Sequence, residues 1–266
     1  SWCQDGTLRL WDLGGCKEAE CLWLAEARAA TCLAVDQASR RALSGGGDGA
    51  LRLWDLERLE ALGAMRSYAG PVLCLAVDWA AMRGLSGGLQ GSLHLWDLAR
   101  GRALRELRGH TAHVSCVAVD WASGEALSGS QDGTLLLWRL ERPRPLLRLW
   151  GHEAGVACLT ADWALRRALS GGCDATLRLW DLAGGVELRR LEADGGIACL
   201  ACDWASLLAL SAGAGPLHVW DLESGERLAE LGGHQGPVRC LAADWAAQRA
   251  LSGGDDCAAR LWDLRA

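Results

Sequence analysis

Twelve cysteines, six histidines and the acid pair Asp255-Asp256 are the side chains with metal-binding, redox or nucleophilic chemistry in this chain. Their spacing argues against most of it. Cys32, Cys74, Cys116, Cys158, Cys199 and Cys240 recur once every forty-odd residues, whereas a structural zinc site wants its cysteines in close pairs. One cysteine at the same place in successive segments reads as a small apolar filler of a crowded core. Cys199 and Cys202 form a C-x-x-C, but three steps along a strand put the two sulfurs on opposite faces, which disfavours a dithiol role. His94 and His218 lie just before a Trp-Asp and His113 in a polar stretch, and none has a catalytic partner at a recognisable spacing. No P-loop, no strand-to-helix Gly-x-Gly-x-x-Gly and no Gly-x-Ser-x-Gly occurs. Runs such as Ser44-Gly45-Gly46-Gly47 precede tight turns and read as turn residues. The expectation is a chain without catalytic residues, cofactor or metal.

A repeat must position these side chains. Leu-Trp-Asp-Leu recurs with its indole at Trp11, Trp54, Trp96, Trp138, Trp180, Trp220 and Trp262, at gaps of 43, 42, 42, 42, 40 and 42 residues. The fourth copy reads Trp138-Arg139. Residues 109–140 show what one unit contains. Gly-His opens an apolar run from Val114 to Val119, Ala126-Leu127-Ser128 follows a polar break, and Asp132-Gly133 signals a tight turn into Thr134–Leu140. Short runs apolar on both faces read as strands buried on both sides. A weaker fourth strand follows the Trp-Asp, as in Arg102–Arg108. In order these are strands a, b, c and d. Four such strands cannot cover two apolar faces alone, but wedges packed radially around a channel can. The expected fold is an all-β propeller of four-stranded antiparallel blades, a single domain over 1–266 with units ending near 13, 56, 98, 140, 182, 222 and 264. Strands a and b of the first unit are missing from the sequence, so the first of seven repeats is incomplete. The alternative is a six-bladed ring with an extra N-terminal strand, in which a strand near Lys17–Leu24 pairs with one near Arg260.

The motifs repeat together in fixed register over the whole chain, and in this they resemble the WD-repeat (WD40-type) β-propeller family. The resemblance implies a structural tetrad in the best copies: His110, Ser128, Asp132 and Trp138; His152, Ser170, Asp174 and Trp180; His234, Ser252, Asp256 and Trp262. Such a tetrad is a buried polar chain in which the indole donates, the serine relays, the histidine bridges and the turn aspartate accepts; it must be fully satisfied inside a blade. Other copies depart from it. Glu26, Tyr68 and Ala193 stand at the histidine position, Gln90 replaces a turn aspartate, and the sixth unit is one residue shorter between Ser211 and Trp220. These blades are expected to be looser.

A second indole ends strand a, at Trp79, Trp121, Trp163, Trp204 and Trp245. It reads chiefly as volume at the blade rim, in a chain with no phenylalanine and one tyrosine; the functional alternative is an aromatic belt for partners. The net charge of −6 argues against nucleic acid as the main partner. The basic stripe Arg100, Arg102, Arg105, Arg108 reads as a solvated edge. No apolar stretch is long enough to cross a membrane, and abundant reduced thiols suit an intracellular, cytoplasmic setting with the nucleus left open. The resemblance implies a non-catalytic scaffold for other proteins or peptides, with upstream residues of the chain itself as a further partner completing the ring. The copies differ most in the d–a loops (His113, Glu153, Gln235) and the b–c turns (Leu89, Gln131, Cys173), so partner contacts are expected there. Trp262-Asp263-Leu264-Arg265 resembles the box with which some family members dock onto a cullin ubiquitin-ligase adaptor. A regulatory propeller of a larger enzyme is the third reading.

Overall fold

The computed structural model describes residues 7–12, 17–23, 30–66 and 70–265, with side chains from residue 30 onward. Every regular element among them is a β-strand, and every pairing is between sequence neighbours running antiparallel. The described residues fall into two compact units, one from residues before 115 together with 140–144, the other from 115–139 and 145 onward. The sheets are named here by their strand-c tryptophan.

The first unit holds a two-stranded sheet, Thr7–Asp12 with Lys17–Trp23, and two four-stranded blades. The Trp54 blade runs Ala30–Asp36, Arg41–Gly46, Ala50–Asp55 and Glu60–Arg66. The Trp96 blade runs Val72–Asp78, Arg83–Gly88, Ser92–Asp97 and Arg102–Arg108. Leu43, Leu51, Leu53 and Met65 on one face of the first meet Val72, Trp96 and Leu98 of the second, all buried. At roughly 1.5–3 kcal/mol per buried large side chain, this junction accounts for why neither sheet needs to be stable alone.

The second unit repeats the pattern. The Trp138 blade ends in a short strand d, Leu147–Trp150. The Trp180 blade spans Val156–Asp162, Arg167–Gly172, Thr176–Asp181 and Val186–Glu192. The Trp220 blade spans Ile197–Asp203, Leu208–Gly213, Leu217–Asp221 and Arg227–Leu231. The Trp262 sheet has three strands, Val238–Asp244, Arg249–Gly254 and Ala259–Asp263, with the last at its edge. Leu127, Leu135, Leu137 and Leu149 of one blade meet Val156, Ala168, Trp180 and Leu182 of the next. Leu169, Leu177, Leu179 and Leu191 then meet Ile197, Ala209, Trp220 and Leu222 in the same way.

One close contact fixes the spacing. A Cβ on Gly129 of strand b would lie 2.7 Å from both Cys116 Sγ and Val156 Cγ1; on Gly45 it would lie 2.6 Å from Cys32 Sγ and 2.7 Å from Val72 Cγ1. The periodic cysteine is thus half of a wedge whose other half is the first residue of the next blade. The b–c turns need a left-handed residue, supplied by Gly49, Gly91 and Gly133 at φ 74–77° but by Ala175 at 61° and Cys257 at 58°.

The fourth copy's Trp138-Arg139 has a structural explanation. In four of the other five sheets strand b opens on Arg41, Arg83, Arg167 or Arg249, opposite Asp55, Asp97, Asp181 or Asp263, and in the Trp220 blade Leu208 stands opposite Asp221. In the Trp138 blade the pair is inverted to Glu125 opposite Arg139, 3.2 Å apart, and Arg166 of the next blade also bonds the Glu125 carboxylate.

Candidate functional site

In the Trp180 blade four side chains form one polar chain. Trp180 donates from Nε1 to Ser170 Oγ at 2.8 Å, Ser170 Oγ lies 2.7 Å from His152 Nε2, and His152 Nδ1 lies 3.0 Å from the Asp174 carboxylate. The backbone N–H of Glu153 and the hydroxyl of Thr176 also donate to Asp174. The Trp262 sheet repeats this with Trp262, Ser252, His234 and Asp256, at 2.8, 2.7 and 2.9 Å, and the Gln235 N–H donates to Asp256. Ser128 accepts from Trp138 at 2.8 Å, Asp132 accepts from Thr134, and His110 is buried.

The electrostatics are those of a buttress rather than of a reactive centre. Burial pulls the His152 pKa down, and the bond to Asp174 restores part of it, so the ring is neutral at neutral pH. Burial pushes the Asp174 carboxyl up, but the Glu153 N–H, His152 and Thr176 outweigh it and hold it below the usual range. Asp256 is held down to about 2, first by the Gln235 N–H. Each serine hydroxyl is fully buried and committed to its indole, so it has no approach for a substrate.

The blades without a tetrad histidine are built differently. Glu26 and Tyr68, expected at that position in the first unit, lie outside the described residues. Ser44 and Ser86 still accept from Trp54 and Trp96 at 2.9 and 2.8 Å. Asp48, the turn acid of the Trp54 blade, pairs with Arg52 at 2.6 Å, and Gln90 is exposed. In the Trp220 blade Ser211 accepts from Trp220 at 2.9 Å, and Ala193 leaves the histidine position without a polar group. A different histidine serves there. His218 on strand c stacks edge-on to Trp220 with centroids 5.6 Å apart, and its Nε2 reaches Asp194 at 3.1 Å. Arg227 Nη1 lies 2.6 Å from the same carboxylate oxygen. Sequence reading missed this cluster because its members are 9 to 33 residues apart. Its only linear signal was His218 two residues before a Trp-Asp. Donor atoms of Asp194, His218 and Glu230 lie within 4.8 Å of one another, the one grouping of potential metal ligands among the described residues. The Arg227 guanidinium already supplies the positive charge there.

Cys32, Cys116, Cys199 and Cys202 are inert by environment. Burial pushes the Cys32 thiol up to about 11 and those of Cys116, Cys199 and Cys202 up to about 12, far from the thiolate range. Cys199 and Cys202 pack against different apolar clusters, as opposite faces require. Trp79, Trp163, Trp204 and Trp245 are half-buried against the blade cores, which favours volume over a belt. In the basic stripe Arg100 pairs with Asp97 and Arg108 with Glu106.

The residues expected to meet partners are exposed. In the first unit these are Leu89, at 41%, and His113. In the second they are Gln131, Glu153 and Gln235. There the Gln131 amide packs over Gly155, and Glu153 faces Arg190 at 3.6 Å, so a b–c turn and the next d–a loop lie side by side.

Serial four-stranded antiparallel sheets joined through b, c and d leucines against the next strand-c tryptophan define a β-propeller protein. The chain belongs to the WD-repeat family: the family model described as WD domain, G-beta repeat, matches residues 24–55, 101–139, 143–181 and 225–263, more than half of the chain. It is also similar in fold to the crystal structure of a computationally designed protein, Ika8, with a TM-score of 0.82 at 24% identity over 99% of this chain and 79% of that one. No curated protein matches it. Among the described residues no helix is long and apolar enough to cross a membrane.

Proposed function

We propose that this protein is a non-catalytic interaction scaffold working within a larger assembly inside the cell. WD repeats are protein–protein interaction modules. The observation that carries the reading for this chain is the division of labour within a repeat. The polar groups with chemical potential are spent on buried networks that hold the b–c turns and d–a loops, and the residues that vary between copies stand exposed on those same loops. The tetrads of His110, His152 and His234 serve as supports, and His113, Gln131, Glu153, Gln235 and Leu89 as contacts. Simultaneous alanine at His113, Gln131 and Glu153 is expected to weaken cross-linking to cellular partners at an unchanged melting temperature. Equal cross-linking by the variant and the parent rejects this face.

The adaptor-docking reading rests on Arg265, which is exposed and pairs with Asp263 at 3.8 Å. Full-strength binding of a cullin adaptor by Arg265→Ala, or none by the parent, removes it.

A further inference from the structure

Strand d of each four-stranded blade sets one residue opposite the strand-c residue just before the tryptophan, beside the turn that follows strand c in the next sheet. These pairs are Gly63 with Leu53, Arg105 with Leu95, Leu147 with Leu137, Arg189 with Leu179 and Ala229 with Val219. Four of the five put a side chain into the joint. Arg189 reaches the next turn and donates to the Glu223 and Ser224 carbonyls at 2.6 and 2.7 Å. Arg105 donates likewise to the Glu141 carbonyl. Leu147 lies against Gly185 of the next turn, and Ala229 packs on the next apolar core. Gly63 puts nothing there.

The gap at Gly63 is a groove of about 490 Å³ on the first unit, walled by Leu53, Leu62, Met65, Met82, Leu98 and Arg41 and closed by the turn Ala99-Arg100-Gly101. That turn matches one that receives an arginine. Gly101 follows Asp97 by four residues at φ 64°, as Gly225 follows Asp221 at φ 84°. A Cβ on Gly225 would lie 2.7 Å from Arg189 Nη1 and 3.3 Å from Leu191 Cδ2. A Cβ on Gly101 would meet Met65, the counterpart of Leu191, at 3.8 Å and no other side chain within 4 Å among the described residues. The Ala99 carbonyl, next after Leu98, holds the place of the Glu141 and Glu223 carbonyls, next after Leu140 and Leu222. The arginine that donates to those two has no counterpart here. A cation suits the place. Arg41 opens strand b opposite Asp55, and Arg83 and Arg167 hold its position in the two blades that supply Arg105 and Arg189. Arg100 of the turn is paired with Asp97 at 2.8 Å.

We infer that this groove is a binding site for an arginine side chain of a partner protein, which fills the place that Arg105 and Arg189 fill in their own joints. The alkyl stem lies along Leu53, Met65 and Leu98. The guanidinium forks to the Ala99 and Arg100 carbonyls, two neighbouring acceptors that a planar fork meets together and an ammonium does not. The partner's backbone crosses the mouth beside Leu62, an apolar side chain that is 43% exposed. The inference rests on the scaffold reading for the source of the arginine, and uses a surface separate from the loops proposed above.

Met65 and Met82, the two methionines of the sequence, both line the groove. Carbon-13 in their methyl groups gives the whole chain two NMR signals at the site. The probe is acetyl-Gly-Arg-Gly-amide. A saturable shift of both signals is expected at millimolar peptide, with the lysine peptide binding about tenfold more weakly. A Cβ on Gly63 meets nothing within 4 Å, and its φ lies outside the left-handed region, so side chains are tolerated there. Gly63→Arg is expected to abolish the shifts by filling the groove, as is Gly63→Leu, which copies the Leu147 joint; Gly63→Ser, too short to reach the turn, is expected to keep them. Absent binding overturns the proposal, as do equal binding of the lysine peptide or shifts retained in both filled variants. n-Propylguanidinium, the same side chain without a backbone, is expected to bind more weakly than the peptide; equal or tighter binding identifies a small-molecule ligand and overturns the protein source. A dimer in sedimentation that Gly63→Arg dissolves shows a second copy in the groove, and binding that appears only in Arg9→Ala or Arg28→Ala shows that the chain fills it itself; either overturns the proposal. Shifts unaltered by alanine at His113, Gln131 and Glu153 separate this site from the loop face, so either reading can fail alone, whereas their loss places the peptide on that face and overturns this one.

Discussion

The Trp180 and Trp220 blades solve one problem in two ways. Both bury an indole that must donate, and both give it a serine at 2.8–2.9 Å. In the Trp180 blade the serine passes the bond inward to His152 and from there to Asp174, so strand b, strand c, the turn and the loop are tied through one chain of neutral and charged groups. In the Trp220 blade the chain stops at Ser211. Its histidine has moved to strand c, where it bonds an aspartate that is 55% exposed and shared with Arg227. The repeat therefore requires only the indole–serine pair. The remainder of the network is a local stiffener, and an exposed ion pair replaces it imperfectly.

The comparison breaks most sharply at the serines. Ser170→Ala leaves both an indole N–H and a histidine nitrogen unsatisfied in the core and is expected to cost about 2–4 kcal/mol in urea unfolding; Ser211→Ala strands one donor and is expected to cost about 1–2 kcal/mol. Equal losses would erase the distinction, as would equal amide-exchange protection of the two blades. Next, His152→Ala is expected to cost about 2–3 kcal/mol, while Ala193→His regains nothing. The turn there reads Ala214-Gly215-Pro216 and offers no carboxylate to the new ring. A stabilised Ala193→His protein would show that the histidine suffices without the aspartate.

Acid sharpens the same contrast. His152 has a pKa below its ordinary 6.5 in the folded protein, so the unfolded chain takes up the proton first. Its contribution is complete above about pH 6.5 and is lost as pH falls below that value. Asp174, depressed below 3.8, keeps its contribution down to that pH and loses it in stronger acid. The urea midpoint is expected to fall between pH 7 and pH 5, and to fall less in His152→Gln. An unchanged slope would place the titration elsewhere, with His218 the next candidate, since burial and then Arg227 depress it too. The smallest effect belongs to the turn. Ala175 at φ 61° occupies a left-handed position that is glycine in three sister turns, and Ala175→Gly is expected to raise stability by up to about 1 kcal/mol.

Much of the fold was legible because its cause is local. The Asp-Gly turn and the apolar runs at 114–119, 126–128 and 134–140 mark, from the residues alone, the strands that form at Val114–Asp120, Glu125–Ser130 and Thr134–Arg139. The tetrad positions were legible only through repetition, since His152, Ser170 and Asp174 mean little until three copies align. What stayed hidden depends on pairings across strands. Arg139 looked like a lost aspartate until Glu125 was found opposite it, because an inverted ion pair leaves no trace at either position by itself. His218 and Asp194 were invisible for the same reason. The groove beside Leu53 could not be read from Gly63, because the turn that closes it lies in the next repeat.

The strand-b glycine has a consequence for how such a chain grows. Because Gly45 and Gly129 meet the same two partners, a thiol behind and a valine ahead, and Gly171 meets Cys158 and Ile197, these three joints accept nearly the same key, while Ala212 takes the glycine's place before Val238. A gene segment copied in frame over one period inherits both halves of that key and seats without redesign. Length in this protein can change by whole modules, and the joint at Ala212 shows that one module already seats with a methyl group where the others keep glycine.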